Sequence, residues 1–123
     1  MSGQALILVA AGGAMGAVAR FAVGTVLKTA SGFPWATLSV NIIGSLLMGL
    51  FMGWLTRQSA GHEALRLFLA VGILGGFTTF SAFSMDLFHL LEKRDMAAMA
   101  LYLGASLIGG VVAFIVGFLA LRA

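Results

Sequence analysis

The apolar run from Ala64 to Leu91 constrains this chain more than any other stretch, because it is both overlong and interrupted. At ~1.5 Å per residue a straight helix over it would measure about 42 Å, against a hydrocarbon core about 30 Å thick. Such a segment must tilt steeply, bend or break. Its middle reads Gly75-Gly76-Phe77-Thr78-Thr79-Phe80-Ser81-Ala82-Phe83-Ser84. Two adjacent glycines followed by two β-branched threonines are poor helix formers. Breaking a helix in lipid strands backbone groups that water cannot reach, which is tolerated where the backbone lines a cavity or binds something. The glycine pair also fits a plainer reading, the close approach of a neighbouring helix.

The rest of the composition places this run in a membrane. Of 123 residues, 61% are hydrophobic and 9% charged, which is the balance of a polytopic membrane protein. The net charge of +3 comes from singly scattered residues, so no basic face for nucleic acid is expected. Without cysteine there is no disulfide framework or thiolate metal site. The first apolar run has no Lys or Arg before Arg20, which argues for a mature span rather than a signal peptide. The expected architecture is an all-α membrane protein, a single domain over residues 1–123 with four transmembrane helices near 5–28, 34–57, 64–91 and 96–121.

In the first span Gly12, Gly16, Arg20 and Gly24 recur every four residues, a small-residue stripe carrying one cation. The connector Thr29-Ala30-Ser31-Gly32-Phe33 leads to Pro34, suited to a first helical turn. Trp35 and Trp54 stand near the two ends of the second span, as an aromatic belt would place them. The charged turn Glu92-Lys93-Arg94-Asp95 closes the third span. With four spans, Arg57, Arg66 and Arg122 share one membrane side, and Lys28, Lys93 and Arg94 the other. That near balance gives the positive-inside rule no clear instruction. Two copies inserted opposite ways up, meeting as an antiparallel pair, and one orientation set by subtler cues both remain open.

Polar residues inside the spans mark the candidate pathway. The second span carries Thr37, Asn41, Ser45, Gly49 and Gly53 at spacing four, and the fourth carries Tyr102, Ser106 and Gly110. An amide such as Asn41 needs partners for two donors and an acceptor, and an intramembrane cation such as Arg20 is a functional candidate by default. Ser45 and Ser106 also fit the role of interhelical glue. No carboxylate sits in the middle of a span, whereas a cation path or proton relay would want one at depth. Donors and one cation suit an anion. Phe80 and Phe83 share a face beside the break, and their positive ring edges can approach an anion.

These residues carry a family resemblance. The run Gly75 to Ser84 resembles the Gly-Gly-x-Thr-Thr-Phe-Ser-Thr-Phe-Ser signature of the Fluc (CrcB-type) fluoride channels. Asn41-Ile42-Ile43-Gly44-Ser45 is similar to that family's second-span Asn segment, and Gly16-Ala17-Val18-Ala19-Arg20 to its Gly-x-x-x-Arg segment. The resemblance implies a multi-pass protein of the inner (plasma) membrane that exports toxic cytoplasmic fluoride by passive electrodiffusion, and no enzyme. It implies a dual-topology antiparallel homodimer with a structural sodium ion at its centre, bound but not transported, on the backbone carbonyls of Gly75 and Thr78. It also implies a pore of Phe80, Phe83 and Asn41, with Thr37, Ser81, Ser84, Ser106 and Tyr102 supplying hydroxyls, and Arg20 in a vestibule. Three positions depart from the pattern: Ala82 in place of Thr, Gly110 where some members carry Ser, and Asp86 in place of Glu.

Other readings are weaker on particular residues. A small dual-topology multidrug exporter would need a glutamate embedded in the first span, which has no acidic residue. An assembly subunit would explain the glycines but leave Asn41 and Arg20 without a task. His62 and His89, near segment ends, give an enzyme no embedded cluster.

Overall fold

The computed structural model describes residues 2–28 and 32–122. The helices are α1 (Gly3–Val26), α2 (Trp35–Leu55), α3 (residues 63–77), α4 (Ser81–Glu92) and α5 (Met96–Leu121). Because α3 and α4 are halves of one span, Glu63–Glu92, four segments are long and apolar enough to cross a membrane. The protein is all-helical and its third span is broken. The first span stops at Val26, short of Lys28, and the second starts at Trp35 with Pro34 just outside it and stops at Leu55, short of Arg57. Thr29, Ala30 and Ser31 of the expected connector lie outside the described residues.

The break falls later than the glycine pair. Gly75–Phe77 is still helical, and the chain leaves the helix at Thr78, whose φ of −88° and ψ of 155° are extended. Gly76 serves the packing role instead: a Cβ there would stand 2.5 Å from the Gly13 carbonyl oxygen. The first half of the span also departs from an ordinary helix. Arg66–Leu74 winds as a π-helix, with the Gly75 amide donating back to Ala70 O. Single π turns are the usual form and cluster at functional sites, so nine residues of it are unusual.

Two close seams join the spans in parallel pairs. Along α1 against α3, Gly12 faces Phe68 O, Gly72 and Ile73, and one turn on Gly16 faces Ile73 and Phe77. Along α2 against α5, Gly49 and Gly53 face the carbonyls of Phe114 and Phe118, and Gly117 fits between Leu46 and Leu50. A side chain at any of these positions would overlap backbone. Small residues that bring backbones together supply the packing that water would drive in a soluble core. Gly24 has open space around it, so the first-span stripe stops packing beyond Arg20. The compact core is a cluster of Leu38, Phe83, Leu90 and Tyr102, where α2, α4 and α5 meet. Elsewhere the outer faces are apolar and exposed, with Ile7, Val18 and Ile108 turned outward as lipid would require.

Candidate functional site

The break is held by side chains reaching in from two other spans. In a continuous helix the Thr79 amide would donate to the Gly75 carbonyl, Phe80 to Gly76 and Ala82 to Thr78. In each of these pairs one member is engaged elsewhere. Asn41 of α2 turns its amide edge-on to Thr79, with Nδ2 donating to Thr79 O at 3.0 Å and Oδ1 accepting from Thr79 N at 2.9 Å. Arg20 of α1 donates from Nε to Gly76 O at 3.2 Å. The Ala82 amide donates to Thr79 Oγ1 at 3.1 Å, so the threonine hydroxyl caps the first turn of α4. The carbonyls of Gly75 and Thr78 are thereby released from their helical donors.

The approach that makes these contacts has a local cause. Gly44, one turn after Asn41, lets α2 come against the Thr78 methyl, where any larger residue would collide. On the far side, the Thr78 hydroxyl donates back to Leu74 O at 2.9 Å, a carbonyl that also accepts from the Thr78 amide.

Two cavities meet at this clamp. One, of about 340 Å³, is lined by Asn41, Ser45, Thr78, Thr79, Phe80 and Ser106 among others. The second, of about 410 Å³, is lined by Arg20, Thr25, Lys28, Thr37 and Thr79, with Ala82 in its wall. Thr79 belongs to both. The first cavity has no charged lining residue, and it offers donors: Ser106 Oγ is buried with no hydrogen-bond partner among the described residues, and Asn41 has a second N–H beyond the one given to Thr79. The second is cationic. Both open on the surface of the single chain, which leaves polar groups of a membrane helix without cover.

The remaining candidates divide between wall and scaffold. Phe80 and Phe83 both reach the first cavity, with ring centroids 5.7 Å apart, yet Phe83 is 5% exposed and packed on Tyr102 while Phe80 is 76% exposed. Tyr102 is fully buried and donates its hydroxyl to Asp86 at 3.0 Å, with the Thr37 hydroxyl beside the same phenol. It stands behind the wall. Ser84 bonds to Phe80 O and Ser81 shares a hydrogen bond with the Thr79 hydroxyl, so both trim the start of α4. Gly110 lies with Ser45 and Ser106 in a shallow extension of the first cavity.

Two residues central to the clamp, Gly76 and Thr79, stood out in the sequence only as helix breakers and not as partners of Arg20 and Asn41. For Thr79 a signal existed. A threonine three residues before the amide it caps, at the head of a helical run, is a helix-start pattern. For Gly76 there was none, since its part is played by a carbonyl that every residue has.

Comparison with known proteins finds relatives along nearly the whole chain. A family model described as CrcB-like protein, Camphor Resistance (CrcB), matches residues 7–118. A protein of Sphingopyxis alaskensis named fluoride-specific ion channel FluC is 48% identical over 121 residues, which is 97% of this chain and 96% of that one. A protein of the same name from Novosphingobium aromaticivorans is 46% identical, covering 96% of each chain. Another, from Nitrobacter winogradskyi, is 46% identical over 95% of this chain and 94% of its own.

Proposed function

The chain belongs to the CrcB family, and on that footing we propose that it is a fluoride channel that lets the anion leave the cytoplasm down its electrochemical gradient. The observation that carries the reading is the Asn41–Thr79 clamp, which holds a broken helix open between a cationic cavity and a neutral, donor-lined one. Fluoride is small and strongly hydrated, so a path for it must replace water with donors that do not hold the ion too tightly. The cationic cavity at Arg20 and Lys28 would gather anions. Past Thr79, the spare amide N–H of Asn41, the Ser106 hydroxyl and the ring edges of Phe80 and Phe83 are donors of moderate strength. The absence of carboxylates from the first cavity's lining suits an anion.

The working unit is proposed to be an antiparallel homodimer inserted in both orientations in the inner (plasma) membrane. The cavities open on the surface of one chain, and Phe80 stands out from it, so a second copy is the cover that a polar membrane surface needs. A structural sodium ion fits the same place. The Gly75 and Thr78 carbonyls, freed from helical donors, are hard neutral oxygens of the kind alkali and alkaline-earth cations take, and two chains would supply four. When bound, the ion would add a positive field favourable to anions. The chain's own residues prepare that site by drawing Thr79 and Ala82 away from those oxygens.

The test is fluoride-electrode efflux from liposomes holding the purified protein. Fluoride release with retained chloride supports the proposal, and release no faster than from protein-free liposomes overturns it. Replacing sodium by a bulky organic cation throughout should lower the efflux, and indifference to that replacement would remove the sodium site alone.

A further inference from the structure

Arg20 is the only ionisable residue of α1, and no acidic side chain among the described residues pairs with it. Its bond to Gly76 is made by Nε, partway along the side chain, and not by the terminal Nη groups. The glycine register explains that choice. Gly12 and Gly16 press α1 onto α3 at Gly72, Ile73 and Phe77, so a residue one turn further on starts too close to the break to meet it with its tip. The Gly76 carbonyl it meets is the one whose helical donor, the Phe80 amide, is withdrawn when Thr78 turns extended. Asn41 holds the other side of Thr78 through Thr79. The break is thus pinned once on each side, from two different spans.

We propose that Arg20 is a positioning residue of the ion pathway, whose Nε–H pins the Gly76 carbonyl and fixes the end of α3, and that this donor, more than the guanidinium charge, is what the channel requires of it. The inference deepens the fluoride-channel reading and rests on it for its transport arm only. In Arg20→Gln the amide nitrogen stands the same number of bonds from the backbone as Nε, so the donor survives and the charge is lost. In Arg20→Met a methyl occupies that place and both are lost. Arg20→Lys keeps the charge but puts a methylene where Nε stood.

Hydrogen exchange of the segment 75–82 in detergent reads the pin directly. Losing one hydrogen bond of ordinary strength at the break should speed exchange about tenfold in the Met variant, and the Gln variant should stay within about threefold of the parent. Fluoride efflux should be higher with Gln than with Met, since both lack the charge and they differ in the donor. Gln and Met behaving alike in exchange and efflux would overturn the proposal, and so would Lys protecting the segment better than Gln. That second comparison decides the matter if the Met variant fails to assemble. If the parent itself passes no fluoride, the functional reading falls, while the exchange series still decides whether Arg20 is a pin.

Discussion

The substitution Asn41→Leu removes the clamp while keeping the number and branching of side-chain heavy atoms, and its cost can be worked from the two bonds that Asn41 makes. Both go to Thr79, at 3.0 and 2.9 Å. Stranding the Thr79 amide and carbonyl in a dry place would cost about 1–3 kcal/mol for each group. The larger sum does not apply, because Thr79 has a way out. With Asn41 gone, its amide can return to the Gly75 carbonyl and the Ala82 amide to Thr78, closing the helix. The relevant scale is then the measured worth of a hydrogen bond between membrane helices, on average about 0.6 kcal/mol and at most about 1.7. Two such bonds give about 1–3 kcal/mol, a shift of roughly tenfold to a hundredfold from the broken form to the closed one. Flux should fall by that factor while the protein still folds, since closing the helix satisfies the backbone. The assay is fluoride efflux per assembled dimer, with size-exclusion profiles as the control for folding. An Asn41→Leu variant that elutes like the parent and conducts within about threefold of it would refute the clamp as the element that holds the pathway open. Asn41→Asp sharpens the test. An ionised carboxylate keeps the bond from the Thr79 amide but has no donor for its carbonyl, so at neutral pH its flux should be lower than with Leu.

Phe80→Ile and Phe83→Ile should both lower flux, but only the second should also lower thermal stability, because Phe83 is packed on Tyr102 and Phe80 is 76% exposed on the single chain; scanning unfolding beside efflux separates the two. Gly12→Ala should destabilise by about 1–3 kcal/mol as an overpacked seam, since its Cβ would stand 2.5 Å from Phe68 O, while Gly24→Ala, with nothing nearby, should be neutral or mildly stabilising. Equal melting of the two would show that the seam is not tight. For dual topology, Lys93→Cys and Ser59→Cys, at opposite membrane faces of a chain without native cysteine, should each label about half with an impermeant thiol reagent on intact cells, as mixed insertion requires. One-sided labelling at both would establish a single orientation and end the antiparallel dimer.

Sequence made some of this legible and hid the rest for physical reasons. Four spans followed from apolar length, and an interrupted third span followed from the overlong run with Gly75, Gly76, Thr78 and Thr79 in its middle. The location of the interruption did not follow. Gly76 is small because Gly13 lies against it, and the turn is made by the threonines, one of which caps the next half-helix. The π winding of Arg66–Leu74 left no trace either, since a nearly continuous apolar run does not distinguish wide turns from ordinary ones. Asn41 and Arg20 were conspicuous as polar groups in hydrocarbon, but their partners are backbone atoms. Which carbonyl a side chain meets depends on the register of one helix on another, and that register is set by the glycine seams. Tyr102 and Asp86 illustrate the same point, being sixteen residues apart and joined by one hydrogen bond that only the fold creates.

The central claim is that the pathway through the Asn41–Thr79 clamp conducts fluoride passively, and a current measured across a planar bilayer tests it most directly. With fluoride and chloride gradients set in opposite directions, the current should reverse at the fluoride equilibrium potential, about 59 mV for a tenfold gradient of a singly charged ion. A reversal that follows chloride, or protein that moves fluoride in liposomes yet carries no current, would contradict it.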